Sequence, residues 1–410
     1  MSELKGKIAF ASDFHLGYAK NEELFKEAFE NAAKVIELAM EKADALVLAG
    51  DIFDSDVPSQ ETWYHAFRVF SAVKGKSAGI EFVKYDREGN AKLIRPENFP
   101  IFATHGTHEF RGKDLRNALE ILESAGLIYY IGAGRVEFEK VAIHFMGGVP
   151  ETKAKTVLQA LSPKAVQGKQ NIFVLHQSFK EFLPFSEDVA SLSIADLPAG
   201  FDLYVCGHMH WPNVLESNGK RLLLTGSTIF TQLKEIETKK EKGLWLYDYD
   251  TKKLEFVPIP DQRKALYITI KVKNSNTEDI KKKVLEELNS IDFGKFSKKP
   301  LIRIKLSGSL AKGVMPSEVN LSDVLKEFEN KAIITISKDL EIADFKKRID
   351  EIRKSMQEKK SISSIGLEIL LKKLEESNFS KSFDATELFK LLEEGKIDKA
   401  EEKLNSKISD

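Results

Sequence analysis

Five short motifs carry groups able to do chemistry. In chain order they are Asp13-Phe14-His15, Gly50-Asp51 with Asp54 three residues on, Gly106-Thr107-His108-Glu109, His176, and Gly207-His208-Met209-His210. Imidazole is the commonest metal ligand and the usual proton-transfer group near neutral pH. Carboxylate oxygen combined with imidazole nitrogen suits manganese, iron, zinc or nickel better than calcium or magnesium. All 8 histidines lie before position 211. A lone His-x-His is weak evidence, because a core or surface histidine explains it as well. Five motifs in order, each ending an apolar run, point instead to one shared site. In extended chain, Asp-x-His and His-x-His put both side chains on one side, so each pair is expected to converge.

The elements that must position these residues alternate between strand and helix over the first 260 positions. Residues 7–12 read as a strand ending at Asp13. Residues 20–42 read as a helix with Leu24, Phe25, Ala28, Ala32, Val35, Ile36 and Ala39 along one stripe. Residues 45–49 form a second apolar strand, and a helix fits 59–73. A strand at 100–104 and a helix at 114–125 follow. Further strands fit 141–146, 171–176, 202–206, 221–225 and 243–249. Such alternation predicts an α/β sandwich, sheets inside and helices outside. Residues 74–99 interrupt it with two short strands around Gly89-Asn90, either a hairpin near the site or a plain surface excursion.

After residue 262 the pattern changes to β-α-β-α-β: strands at 265–273, 300–307 and 332–337, helices at 277–290 and 321–329. From 340 the chain is helical and highly charged. A polar break at 359–364 precedes a helix carrying Ile365, Ile369, Leu370 and Leu374. Asp384 with Glu387 three residues on fits a capping box before Leu388, Leu391 and Leu392. Gly395 is expected to interrupt that helix before a last short one with Ile397, Ala400 and Leu404.

Composition narrows the class. The chain has 410 residues, too many for one core, with 42% hydrophobic and 30% charged residues. No apolar run approaches the roughly 20 residues that span a bilayer. The start, MSELKGKIAFASDFHLG, lacks the layout of a signal peptide. The single cysteine, Cys206, excludes an internal disulfide, which fits a reducing cytoplasm. It precedes His208 on an apolar strand and reads as a buried small hydrophobe. Net charge is -1, so any contact with a polyanion must come from a local basic face or from a partner. Charge runs such as 346–348 read as solvated helix faces. His105 reads as a supporting residue, His65 as structural or at a subunit contact, and His144 as a core histidine.

The motif set resembles the calcineurin-like metallophosphoesterases, and within them the Mre-eleven/SbcD type of DNA double-strand-break repair nuclease. The similar residues are Asp13-Phe14-His15-Leu16-Gly17, Gly50-Asp51-Ile52-Phe53-Asp54 with Val57-Pro58-Ser59, Leu175-His176-Gln177, and Thr225-Gly226-Ser227-Thr228. The resemblance implies a two-sheet α/β sandwich nuclease domain over 1–262. It implies a small α+β capping, DNA-binding domain over 263–340 and a helical ATPase-binding region over 341–410. It implies two divalent metal ions, manganese by preference. Asp13, His15, Asp51 and His210 would hold one ion; Asp51, His176 and His208 would hold the other. His108 would be the general acid, with Glu109 positioning it. At the third motif the family has asparagine as a ligand of the second metal, and here Thr107 stands in that place. A threonine hydroxyl is a shorter and poorer ligand, so it would coordinate weakly or leave the place to water.

The activity implied is manganese-dependent exonuclease and endonuclease cleavage of DNA at double-strand breaks, in the cytoplasm at the nucleoid. The implied partners are DNA, a coiled-coil ABC-type ATPase, and a second copy of the chain. The dimer would form through the helices bearing Trp63, Phe67 and Phe70 and Leu115, Leu119 and Leu122, stripes that would equally serve to pack on the sheet. Two other readings stand beside this one. One is a phosphoprotein or nucleotide phosphatase, for which the modules after residue 262 have no evident use. The other is a DNA-end-binding scaffold with a weakened second metal site, suggested by Thr107.

Overall fold

The computed structural model describes residues 4–19, 21–111, 115–182, 192–342, 367, 371, 385–393, 396, 397 and 399. The elements run β1 (Lys7–Ala11), α1 (Glu22–Lys42), β2 (Ala45–Ala49), α2 (Gln60–Phe70), β3 (Phe82–Tyr85), β4 (Ala91–Ile94) and β5 (Ile101–Thr104). Next come α3 (Ala118–Ser124), β6 (Tyr129–Tyr130), β7 (Ala133–Phe138), β8 (Val141–Met146), α4 (Glu151–Leu161), β9 (Gln170–His176) and β10 (Leu203–Gly207). Then follow β11 (Asn213–Ser217), β12 (Lys220–Leu224), α5 (Glu235–Thr238), β13 (Gly243–Asp248) and β14 (Leu254–Pro258). Two compact units contain the chain: residues 1–267, 293–303 and 331–333 in one, residues 268–292, 304–330 and 334–410 in the other.

The first unit is an α/β sandwich. One sheet has the order β14-β13-β1-β2-β5-β6; the other has the order β11-β12-β10-β9-β8-β7-β3-β4. Strands β1, β2 and β5 run parallel, as do β8, β9, β10 and β12. The two-residue period of a strand explains the layering. In β1, Ile8 and Phe10 point to the core between the sheets, where Val47, Phe102, Ile143, Phe145, Ile172, Val174 and Val205 meet them. Ala9 and Ala11 point the other way, under a layer built from α1, α2 and α3. In β9, Phe173 and Leu175 face outward with Tyr204 and Cys206, and Ala154 and Leu158 of α4 cover them. Parallel strands buried on both faces read as continuous apolar runs, as these do.

Helix α1 begins where the Asn21 side chain accepts the Leu24 amide, and it buries Ala28, Ala32, Val35, Ile36 and Ala39 at helical spacing. Helix α2 has Ser59 as its cap, and α3 has a capping box between Asn117 and Glu120. The stripes on α2 and α3 turn inward. Phe70, Leu119 and Leu122 are fully buried, and Trp63 and Phe67 pack against the same core. Tyr64 and Ile121 on these helices, and Leu115 just before α3, are exposed.

The segment 74–99 is a hairpin, β3 against β4, and β3 also pairs with β7. It therefore extends the second sheet at the edge away from β9 and β10. Phe82 anchors it between the rings of Phe102 and Tyr129, at 4.9 and 4.8 Å.

The second module is a three-stranded sheet, β15 (Ala265–Ser275), β16 (Leu301–Leu310) and β17 (Ile333–Ile342), with α6 (Thr277–Asn289) and α7 (Ser322–Phe328). Helix α6 starts at a capping box between Asn276 and Asp279 and buries Ile280, Val284 and Leu288 on one face. Helix α8 (Ala385–Glu393) carries half-buried Leu388 and Leu391 and exposed Leu392. The expected break at 359–364, the helix with Ile365, Ile369, Leu370 and Leu374, and Asp384, Gly395, Ala400 and Leu404 lie outside the described residues. Among the described residues no helix is long and apolar enough to cross a membrane.

The hairpin belongs to the core, and that is testable by denaturant unfolding. Phe82→Ala should cost about 3–5 kcal/mol of stability. Leu93→Ala, at an exposed position of β4, should change it by less than about 0.5 kcal/mol. Equal small effects would show the hairpin to be a surface excursion.

Candidate metal centre

The motif residues leave the C-terminal ends of β1, β2 and β5 in one sheet and of β9 and β10 in the other. Parallel pairing continues past the strands. The Asp13 amide donates to the Gly50 carbonyl at 2.9 Å, His15 to Asp51 at 3.1 Å, and Leu16 to Ile52 at 2.8 Å. These loops are not extended chain. Asp13, His15, Asp51 and His208 all have left-handed backbones, with φ of 52°, 48°, 49° and 74°. Convergence of Asp13 with His15 thus comes from two left-handed turns, and the strand alternation expected from sequence is not its cause. Each such residue costs on the order of 1–3 kcal/mol and persists only where its surroundings hold it.

Two glycines make room. A Cβ on Gly106 would lie 2.1 Å from Asp51 Oδ1, and one on Gly207 would lie 2.2 Å from the Ala49 carbonyl. Any side chain at either position would displace the carboxylate or the strand end beside it.

Three groups of side chains come together, each with ligand atoms within 4.8 Å of one another: Asp13–His15–His210, Asp51–His176–His208, and His15–Asp54–His108. Hydrogen bonds fix how the rings present their nitrogens. His15 Nδ1 donates to the Asp54 carboxylate at 2.9 Å, and His176 Nδ1 donates to the Ala49 carbonyl at 2.7 Å. His210 Nδ1 meets the Thr231 hydroxyl at 2.6 Å. The Nε2 atoms are left facing the carboxylates. His15 and His210 bring theirs within 3.3 Å of each other, and His210 Nε2 is 3.4 Å from Asp13 Oδ1. His176 Nε2 is fully buried and pairs with Asp51 Oδ2 at 3.1 Å. Lone pairs of histidines tethered at the other nitrogen, aimed at buried carboxylates, are what a divalent cation requires. The residues present fit such a cation in both the first and second groups.

The electrostatics agree. Asp13 and Asp51 are buried. Burial opposes their charge, but His210 and His176 outweigh it for Asp13, and His176, His15 and His108 do so for Asp51, so both stay below the usual carboxylate range. Burial likewise opposes charge on His176, yet Asp51 and Asp13 hold its pKa up at about 10. Burial and the charge on His176 push His208 down to about 4. The two buried carboxylates therefore demand positive charge from whatever lies between them and the rings.

Glu109 lies beneath the site. It is fully buried, and its carboxylate accepts the amides of Gly106 (2.7 Å), Phe53 (2.7 Å) and Asp51 (3.1 Å). It ties the loops after β2 and β5 together, while burial and the neighbouring Asp51 raise its pKa to about 7. The ring of His108 is oriented by another group: Nδ1 donates to the Asp54 carbonyl at 2.8 Å. Its Nε2 is 3.9 Å from Asp51 Oδ2, and the side chain is partly open to solvent. The Thr107 hydroxyl is 3.4 Å from Asp51 Oδ2, so it faces the carboxylate shared by the loops.

Asp54 and Thr231 are the residues that sequence reasoning leaves without a role. Asp54 is visible as the second carboxylate of Gly-Asp-x-x-Asp, whereas Thr231 has no signal. His105 accepts from the Tyr130 hydroxyl at 2.8 Å, and the Asn117 amide donates to that hydroxyl, so His105 supports the loop after β5. Burial lowers its pKa to about 4. His65 packs among Phe25, Phe29 and Tyr64, and His144 is buried against Phe201; neither joins the cluster. The Cys206 thiol donates to the Gln177 carbonyl at 3.3 Å, and burial pushes its pKa up.

A sequence profile of the calcineurin-like phosphoesterases matches residues 6–212. A protein of Archaeoglobus fulgidus named "DNA double-strand break repair protein Mre11" is 29% identical over 367 residues, covering 80% of this chain and 76% of that one. A protein of the same name from Sulfurisphaera tokodaii is 27% identical over 326 residues, covering 77% of each. The "Double-strand break repair protein MRE11" of Arabidopsis thaliana is 25% identical over 398 residues, covering 81% of this chain and 54% of that one.

With a pKa of about 10, His176 carries a proton near neutral pH until a cation replaces it. Metal uptake should therefore release a proton, and affinity for Mn2+ should rise about tenfold per pH unit through the neutral range. Titration calorimetry in buffers of different ionisation heat measures both. A pH-independent affinity would show that His176 takes no part.

Proposed function

We propose that this chain, which belongs to the calcineurin-like phosphoesterase family, is a two-metal nuclease that hydrolyses DNA phosphodiester bonds in double-strand-break repair. The observation that carries this is the place of Asp51. Its carboxylate stands 3.1 Å from His176 Nε2 and 3.9 Å from His108 Nε2, with the Asp13–His15–His210 group across the same loops. The names of the relatives support DNA breaks as the setting.

Asp13, His15, Asp51 and His210 would hold one ion, and Asp51, His176, His208 and Thr107 the other. Imidazole and carboxylate donors together suit Mn2+. Two such cations would bind the phosphate, neutralise charge in the transition state and activate the attacking water. His108 would be the general acid. With Nδ1–H committed to the Asp54 carbonyl, a protonated ring can release only the Nε2 proton outward, to the leaving oxygen. Glu109 keeps the backbone of Asp51 and Gly106 in place and does not touch the substrate. Loss of any of these positions would be felt at the phosphate through the loops.

The partners follow from the same reading. Residues 263–340 act as a DNA-binding cap and 341–410 as the region that binds a coiled-coil ABC-type ATPase. Exposed Leu392 and Ile397 support an apolar contact there. A homodimer through the segments around α2 and α3 would use exposed apolar residues such as Tyr64, Leu115 and Ile121. Action in the cytoplasm, at the nucleoid, fits DNA as substrate.

Thr107 favours one alternative, a scaffold that binds DNA ends with the second metal loosely held. Cleavage of linear duplex DNA in Mn2+ separates the two. The natural chain should cut, and His108→Ala should lose about 10²–10⁴-fold in rate while still binding metal and DNA. Thr107→Asn should cut at least as fast as the natural chain. Undiminished cleavage by His108→Ala would remove its role, and cleavage by Thr107→Asn alone would favour the scaffold.

A further inference from the structure

Behind His210 the fold buries a lysine. Lys242 is 1% exposed and lies between α5 and β13. Its ammonium donates to the His210 main-chain carbonyl (2.8 Å), the Ser227 hydroxyl (2.7 Å) and the Glu237 carboxylate (2.8 Å). Its Nζ also sits 4.4 Å from the centre of the Phe230 ring. Glu237 is fully buried, and its second oxygen, Oε2, has no hydrogen-bond partner.

A buried lysine–glutamate pair is a poor device for stability alone. Desolvation of two charges cancels most of their attraction, and apolar residues of the same volume commonly do as well or better. What this pair does specifically is grip one peptide. The His210 carbonyl accepts from Lys242 Nζ and from the Ser227 amide at 3.3 Å, while the His210 ring is held at Nδ1 by Thr231. Ser227, Thr231, Glu237 and Lys242 all belong to the stretch between β12 and β13. That stretch holds His210 at both its ring and its carbonyl, and it also donates the Thr228 amide to the Asp13 carbonyl at 3.3 Å. By contrast, His176 is tethered to the Ala49 carbonyl, in a different part of the sandwich.

We propose that the Lys242–Glu237 pair is a positioning device for His210, which aims the Nε2 atom of that ring and thereby sets metal affinity in the Asp13–His15–His210 group. The inference rests on reading those three residues as ligands. It assigns no contact between Lys242 and substrate. Glu237 neutralises the ammonium and keeps it directed at the carbonyl, and Ser227 and Phe230 close the remaining sides.

The test is Mn2+ binding to the full chain, followed by stoichiometry and by electron paramagnetic resonance. Lys242→Met alone would strand the charge of Glu237, so the pair is removed as neutral doubles, Lys242→Met/Glu237→Leu and Lys242→Met/Glu237→Gln. Each double should melt as a folded protein and bind one ion as the natural chain does. The other ion should bind at least ~10-fold more weakly, the range seen when partners of metal-bound histidines are removed. At manganese concentrations that fill the natural chain, the spectrum should change from a spin-coupled pair to an isolated ion. A folded double that binds both ions as tightly as the natural chain does overturns the inference. So does failure of both doubles to fold, which would make the pair a requirement of the fold. A natural chain that takes up no manganese overturns the metal-centre reading itself, and the inference with it.

Discussion

Two carboxylates, Asp13 and Asp51, are buried side by side at the ends of neighbouring strands, and the rest of the first unit is arranged around that fact. Buried negative charge is tolerated only where positive charge or strong donors meet it. Here the main chain supplies a few amides: His208 N to Asp13 at 3.0 Å and His108 N to Asp51 at 2.9 Å. Imidazoles supply the rest, and in the metal-free protein a proton on His176 balances part of the charge. The same lone pairs would hold a cation of charge two in place of those protons.

The rigidity of the sandwich makes this concentration of charge tolerable. Strands β1 and β2 remain paired through Leu16 and Ile52, which holds Asp13 and Asp51 in register although both backbones are left-handed. Strand β9 pairs with β10 up to His176 and Gly207, which fixes the second sheet's histidines relative to each other. Glu109 then joins the loops after β2 and β5 from below through three amides. The site is built at the ends of strands from both sheets, and the inter-sheet core of Ile8, Phe10, Val47, Val174 and Val205 keeps the two sheets in place.

Much of this is legible in the amino-acid order alone. Residues of β1, β2, β5, β8, β9 and β10 are apolar on both faces, so their runs stand out, and each motif residue lies where a run stops. Helix α4 is not legible, because it buries only Ala154 and Leu158 and leaves a stripe too thin to read. Strands β7, β11 and β14 escape for a related reason: they are half-exposed, with few residues facing a core. Within the site, chemistry-bearing residue types are visible, but their second partners are not. The Asp54 carbonyl that orients His108 is main chain, and Thr231, Glu237 and Lys242 reach His210 only through folding. Strand alternation also points to the wrong cause for a right result, since left-handed turns converge Asp13 and His15.

Whether Asp51 lies between two metal ions decides the rest of the mechanism. Anomalous diffraction at the manganese edge, from crystals of the protein grown in Mn2+, answers that without relying on activity. Two peaks are predicted about 3.5–4 Å apart, with the Asp51 carboxylate touching both. One peak should lie against Asp13, His15 and His210, the other against His176 and His208. A single peak, or two peaks with Asp51 bound to neither or to one alone, would contradict the two-metal reading.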